Sequence, residues 1–357
     1  MARLMVNIDT EEEGLFSGRY PTRDWRLGHL EELPRLQAIF DRFSVVPTYQ
    51  VTTPVIMDGP GGRHLEHFLA DGRCDIGGHL HPWTTEPIGG LPADDAHSMP
   101  CMLPPDLVQE KLATLTRQIR DRFGLQPVAY RSGRYGSSAA HTGFLLECGY
   151  RVETSVCPFV SHAAFGGPDY FDAPLTPYWL GIDDMLAPQP TGELLCVPIS
   201  AGFSRPHFAK AAWLYRRLAR TSLRHLRLIG LLYRLRLLRL IRLNPELTSL
   251  EDMISLCRAL LRRGTEVFHL TFHSSNIGVG GTPYVPDQDA RDAFLRRLTG
   301  VLDFLVAGQG VTPITTRDYY NLVSSRRTMP EIEQPRTPLN DEGMPSEGFV
   351  VCGCTRA

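Results

Sequence analysis

Short apolar runs that end in polar residues alternate along the chain with longer segments whose apolar positions recur every three or four residues. The first pattern reads as buried strand and the second as amphipathic helix, so their alternation predicts β-α units in a parallel sheet or barrel. Leu4 to Asp9 is the first strand, and Leu30, Leu33, Leu36, Ile39, Phe40 and Phe43 mark the first helix. A strand at Val45 to Val51, a short helix around Leu65 to Leu69 and a strand end at Asp75 to His79 follow. Leu107, Leu112, Leu115, Ile119 and Phe123 predict the next helix, before a strand at Val128 to Arg131. The pattern continues with a helix over Ser138 to Cys148 and strands at Tyr150 to Ser155 and Leu194 to Ile199. Next come a helix from Ser249 to Arg263, which Thr248 or Ser249 can cap, and a strand from Glu266 to Phe272. A helix from Gln288 to Val306 and a last strand at Val311 to Ile314 complete about eight units.

Two stretches break the alternation. Pro158 to Pro190 is rich in Pro, Gly and aromatics; Phe159, Phe165, Tyr170, Phe171, Tyr178 and Trp179 predict an ordered loop over one face. Arg205 to Leu243 holds ten arginines and one lysine, with no Asp or Glu. Removing these eleven from the 37 basic residues leaves 26 against 39 acidic ones, so the charge is lopsided although the net is −2. Arg216, Arg220, Arg224, Arg227 and Arg234 fall on one face of a helical insert, with leucines around the rest. The plain reading is a solvated arginine face over leucines packed on the main body. The sharper one is a surface for anionic lipid or a sugar phosphate. No nucleic acid is expected, since the remainder would repel it.

A chain of 357 residues with 43% hydrophobic and 21% charged residues can build a sizeable core. Residues 1–325 read as one unit carrying the insert 205–243, and 326–357, poor in apolar residues, as a flexible tail. No run reaches the ~18 apolar residues of a membrane span. The first residues lack the order of a secretory leader, so a cytoplasmic protein, peripheral at the membrane if the insert binds lipid, is expected. The eight cysteines are scattered, as expected for reduced residues.

Polar residues that carry chemistry cluster at four strand ends: Asp9-Thr10-Glu11, His79-Leu80-His81, Arg131 to Tyr135, and His273-Ser274-Ser275. In a barrel of parallel strands these ends share one rim. Extended backbone points His79 and His81 to the same side, and likewise Asp9 and Glu11. Two imidazoles and a carboxylate leave an open position on a divalent metal such as zinc, the arrangement of a catalytic site. Trp83, Tyr135 and Trp179 are candidates for a sugar platform, with Ser274 a further substrate contact. Glu153 and Asp184 are candidates to support the site residues from behind, with solvation in a helix or loop the plainer reading, and His269, deeper on its strand, is structural.

Asp9-Thr-Glu11, Asp75-Ile-Gly-Gly-His79-Leu-His81-Pro-Trp83, Tyr130-Arg-Ser-Gly-Arg-Tyr135-Gly and Leu270-Thr-Phe-His273-Ser resemble, in order and spacing, the motifs of the polysaccharide deacetylase family (NodB-like, carbohydrate esterase family 4). The likeness runs from about Arg3 to Val323 and is nearest the branch tied to surface glycans. It implies a distorted, TIM-like (β/α) barrel of about seven to eight parallel strands that removes an N-acetyl group from an amino sugar with a divalent metal, usually zinc. By the same likeness Asp9 matches the catalytic base, His79 the first metal histidine, Arg131 the residue that orients the base, and His273 the general acid. The family's adjacent pair of aspartates is here Asp-Thr-Glu, which moves the metal carboxylate to Glu11. Its second histidine, four residues after the first, is here Trp83, which leaves His81 as the substitute. Hydrolysis of a non-sugar cyclic amide, or a silent sugar-binding scaffold, are the alternatives.

Overall fold

The computed structural model describes residues 2–88, 90–204, 207–220, 228–235 and 237–328. In chain order it contains β1 (Arg3–Thr10), α1 (Leu33–Arg42), β2 (Thr48–Val51), α2 (Thr53–Met57), α3 (Gly59–Ala70), β3 (Asp75–Leu80), α4 (Pro105–Phe123), β4 (Ala129–Ser132), α5 (Thr142–Glu147) and β5 (Val152–Glu153). These are followed by β6 (Tyr178–Leu180), β7 (Leu194–Cys196), β8 (Ala201–Phe203), α6 (Phe208–Arg220), α7 (Leu228–Arg234) and β9 (Leu240–Arg242). The last elements are α8 (Leu250–Arg262), β10 (Val267–His273), α9 (Gln288–Leu302), β11 (Thr312–Pro313) and α10 (Thr316–Thr328).

β10, β1, β2, β3, β4, β5 and β7 lie side by side and all pair in parallel, with β11 also parallel to β1 and β6 antiparallel on β7. Helices cover the outside, so the strands are buried on both faces and read as near-continuous apolar runs. The gap between β7 and β10 is bridged by irregular backbone. Ser200 N–H donates to His269 O at 3.1 Å, Leu243 N–H to Ser200 O at 2.8 Å, and Thr271 N–H to Leu243 O at 3.2 Å. The result is the expected distorted barrel of parallel strands.

Several expectations change. The strand predicted over Tyr150 to Ser155 shrinks to the two residues of β5, because the Ser155 N–H turns to the Glu153 carboxylate at 3.0 Å and leaves the ladder. The basic insert is not helical throughout: α6 and α7 lie within it, but its end is β9, which pairs with β8. Arg216 is not on a free face, since it pairs with Asp172 at 2.5 Å and lies 4.2 Å from the Phe171 ring centroid. Arg224 and Arg227 lie outside the described residues. α10 was not anticipated; its Tyr319, Tyr320 and Val323 pack with Met5, Val128, Val152 and Val267 in a second apolar cluster. Trp179 belongs there too, against Tyr320 and under Arg327, so it is no part of a sugar platform. The tail beyond residue 328 lies outside the described residues.

Candidate active site

Strand register explains why distant motifs meet. Asp9 on β1 is the register partner of His273 on β10, and His79 on β3 that of Arg131 on β4. Since all four strands are parallel, their C-terminal ends and the residues just beyond them line one cavity of about 570 Å³. Asp9, Glu11, His79, His81, Trp83, Tyr135 and His273 all border it.

The centre of the site is a triangle. His79 Nε2 lies 3.2 Å from Glu11 Oε2 and 3.1 Å from His81 Nε2, while His81 Nε2 lies 3.3 Å from the same Glu11 oxygen. What faces inward is set by what holds the far side of each ring. His79 Nδ1 is 3.0 Å from the carbonyl oxygen of Arg131, which can only accept, so the proton sits on Nδ1. His81 Nδ1 is 2.9 Å from Glu12 Oε1 and carries its proton for the same reason. With both rings neutral, as metal ligands must be, their Nε2 lone pairs therefore converge with a carboxylate oxygen in a buried place. Tetrahedral bonds of about 2.05 Å would separate neighbouring ligand atoms by about 3.3 Å, so the triangle has the size of one face of a zinc site. The donor set, two imidazoles and one carboxylate, fits a divalent metal of this kind.

The electrostatics are strong. Burial works against the charge on Glu11, but His273, His79 and His81 hold its carboxyl well below the usual range. Burial alone would depress His81, yet Glu12 and Glu11 lift it to about 9. His273 likewise overcomes burial and is raised to about 10 by Glu246, Glu11 and Asp9. Its Nδ1 is 2.8 Å from Glu246 Oε1, and its Nε2 points at the site, 3.8 Å from Asp9 Oδ2 and 3.9 Å from Glu11 Oε1.

Arg131 is completely buried and does two things. Its backbone carbonyl orients His79, and its Nε faces Asp9 Oδ1 at 3.2 Å. Nη1 donates to Thr271 Oγ1 at 2.7 Å and Nη2 to His269 Nε2 at 3.2 Å. His269 can accept because burial and the adjacent guanidinium depress it to about 3, leaving the ring neutral. It is structural, as expected. After β4 the chain turns sharply through Arg134 and Tyr135, both with positive φ, and a Cβ at Gly133 would come within 2.4 Å of Leu80 O. That turn puts Tyr135 on the cavity wall, and strain of this kind is characteristic of functional sites.

Other expected positions are partly revised. Trp83 borders the cavity but is buried, stacked on His81 at 4.2 Å and donating its Nε1–H to Glu12 at 2.9 Å, so it braces the His81 ring. Ser274 lies behind Glu11 rather than on the cavity wall, accepting from the Glu11 N–H at 3.4 Å and 2.9 Å from His29 Nε2. With His29 Nδ1 3.1 Å from Glu13, the three have the spacing of a nucleophile, base and acid. Ser274 is fully buried outside the cavity lining, so no substrate carbonyl reaches it; the group anchors Glu11. Of the loop aromatics, Phe159 packs on the core and Tyr170 is buried, but Phe165 is 56% exposed at the cavity rim. Asp184 sits in an exposed turn, as expected. Glu153, expected to be solvated, is instead fully buried, and burial raises its carboxyl.

Sequence reasoning missed Glu12, Glu246 and Arg242, all placed at or against the cavity. Glu12 follows Glu11 in a run of three acids directly after a buried strand, and that run was a usable signal. Glu246 and Arg242 lie in irregular sequence with no pattern to mark them.

No family model and no curated protein sequence matches the chain. Solved structures do. A protein described as a polysaccharide deacetylase from Mycobacterium smegmatis aligns with a TM-score of 0.50 at 16% identity, over 92% of this chain and 93% of its own. A 4-alpha-glucanotransferase from Thermococcus litoralis gives 0.44 at 12% identity, over 90% of this chain and 40% of its own. A protein described as a polysaccharide deacetylase involved in O-antigen biosynthesis, from Bordetella bronchiseptica, gives 0.39 at 12% identity, over 84% and 90%. At such identities the first likeness speaks to the fold, and the other two are weaker. The chain thus has the fold of the polysaccharide deacetylase barrel that its strand-end motifs resemble.

Proposed function

We propose that this chain is a metal-dependent hydrolase of the polysaccharide deacetylase family that removes an N-acetyl group from an amino sugar of a glycan or glycoconjugate. The observation that carries this reading is the convergence of Glu11, His79 and His81 beside the Asp9–Arg131 and His273–Glu246 pairs. A divalent metal at the triangle, with zinc the best match to its donors, would polarise the acetamide carbonyl and make water a better nucleophile near neutral pH. Asp9 takes the proton of the attacking water, its carboxylate held toward the cavity by Arg131. His273, kept protonated by Glu246, gives a proton to the departing amine, which otherwise leaves poorly. The cavity has room for one or two sugar rings.

Asp9→Asn tests the mechanism, because the amide has nearly the same shape but cannot take the proton. The variant is expected to retain stoichiometric zinc and to release acetate from N-acetylated sugars at least ~100-fold more slowly. Undiminished turnover removes Asp9 from the reaction. Full metal content with no acetate release by the parent protein from any sugar would favour a silent sugar-binding role.

The insert suits a peripheral site on an anionic membrane. Trp213, Leu214, Leu231, Tyr233 and Leu235 are exposed on α6, on α7 and just beyond, within the stretch that holds eleven basic residues and no acidic one. No helix among the described residues is long and apolar enough to cross a membrane. The six described cysteines are unpaired, which supports a cytoplasmic, reducing compartment. Replacing Trp213, Leu231 and Leu235 with Ser should weaken binding to phosphatidylserine-containing vesicles about tenfold or more, while acetate release from a small soluble substrate stays the same. Equal vesicle binding by parent and variant would reject the membrane reading.

A further inference from the structure

The sequence suggested a solvated arginine face for the insert, but its last charged residue lines the reacting pocket. β9 pairs Arg242 with Ala201 of β8, and the next residue, Leu243, is bonded to Ser200 and Thr271 in the barrel wall. Arg242 is therefore fixed at the barrel rim, where it lines the same cavity as Asp9 and His273. Among the described residues it makes no ion pair. Glu246 is the carboxylate whose charge it feels, but both Glu246 oxygens are occupied: His273 Nδ1 and Asn244 Nδ2 lie on one, and Asn276 Nδ2 and the His273 N–H on the other. Around Arg242 lie Tyr135, Cys157 and His162.

His162 reports the field there. It stacks on Tyr135 with ring centroids 5.8 Å apart, and burial together with Arg242 and Arg134 depresses it to about 4. It is thus neutral, and its Nε2 is buried without a hydrogen-bond partner. Arg134, by contrast, is already engaged by Asp95 at 2.9 Å and by Ser98. One wall of the cavity accordingly holds a half-buried guanidinium without a counter-ion and an imidazole nitrogen with unused bonding capacity. A partly desolvated cation without an anion is costly, and a planar guanidinium is suited to a phosphate or carboxylate oxygen pair.

We propose that this wall, through Arg242, receives an oxyanion carried by the substrate, so that the N-acylated sugar acted on is a sugar phosphate or a uronate rather than a neutral sugar. The inference rests on the deacetylase reading for the identity of the sugar, and on Arg242 for its charge. Calorimetric titration of the zinc-loaded full chain tests it without requiring turnover. The ligands are N-acetylglucosamine, its 1-phosphate, its 6-phosphate and N-acetylglucosaminuronate. The parent protein should bind at least one anionic sugar about 10- to 100-fold more tightly than the neutral one, the size of a charge-assisted contact, and the favoured ligand separates phosphate from carboxylate. Arg242→Gln should abolish that preference, and Arg242→Lys, which keeps the charge but not the fork, should retain part of it. Equal affinities in the parent protein, or a preference that persists in Arg242→Gln, would overturn the proposal, the second by placing the anion elsewhere in the site. An anion preference without acetate release from any of these sugars would instead leave the wall standing and remove the deacetylase.

Discussion

The imidazole of His81 has two nitrogens, and Glu12 decides which of them carries the proton. Its Oε1 accepts from His81 Nδ1 and from Trp83 Nε1, both at 2.9 Å, while Thr52 donates to Oε2 at 3.2 Å. The carboxylate thus locks the ring, turns its Nε2 lone pair inward and makes it a stronger ligand. Glu12→Gln keeps the shape and one acceptor but removes the charge. Zinc affinity should fall about 10- to 100-fold, and the nitrogen NMR shifts of the metal-free protein, recorded at a pH above about 9 where the ring is neutral, should show His81 gaining the opposite tautomer. Unchanged affinity would make Glu12 merely structural. The sequence made Glu11 legible because strand parity sets it on the same side as Asp9 and the family resemblance puts the metal carboxylate there. Parity could not find Glu12, which points the other way along the turn and returns to the site only because Trp83 and His81 come to meet it.

At the scale of elements, the loop after β3 is pinned from outside the barrel. Lys111, on α4, is buried and donates to the carbonyl oxygens of Pro82, Thr85 and Pro87 at 2.8, 2.6 and 2.6 Å. These three carbonyls belong to a segment too irregular to pair with neighbouring backbone, and it begins at His81. Lys111→Met keeps the apolar stem and leaves the carbonyls without that donor, at a cost of roughly 3 kcal/mol or more. The thermal midpoint should drop by several degrees, and zinc should bind several-fold more weakly because His81 loses its fixed base. A drop in stability with unaltered zinc affinity would separate the loop from the site. Sequence periodicity located α4, since Leu112, Leu115 and Ile119 mark its buried face. It could not tell that Lys111, one position from Leu112, is buried as well. The same limit misled the insert, where arginines and leucines at helical spacing suggested one helix although the segment ends as a strand.

For the molecule as a whole, the rim was legible because parallel strands place their C-terminal ends together whatever the exact register. Closure of the barrel by Ser200 and Leu243 was not, since it depends on irregular backbone with no periodicity. Both bear on how the fold responds to metal. The triangle joins β1, whose end carries Glu11, to β3 and the loop after it, which carry the two histidines. A bound ion therefore ties together two strands that β2 separates in the sheet, and the unfolded chain offers no comparable site. At a free zinc concentration a thousand times the dissociation constant, stabilisation is about 4 kcal/mol, which for a chain of this length raises the thermal midpoint by roughly 5 °C. The midpoint should climb with zinc concentration and return on addition of a chelator. In the His79→Ala, His81→Ala double variant the barrel should still fold, because the core strands do not depend on these side chains, but its midpoint should not respond to zinc. An equal rise in the variant would mean that the ion binds at another place, and no rise in the parent protein would mean that the converging lone pairs of Glu11, His79 and His81 hold no metal.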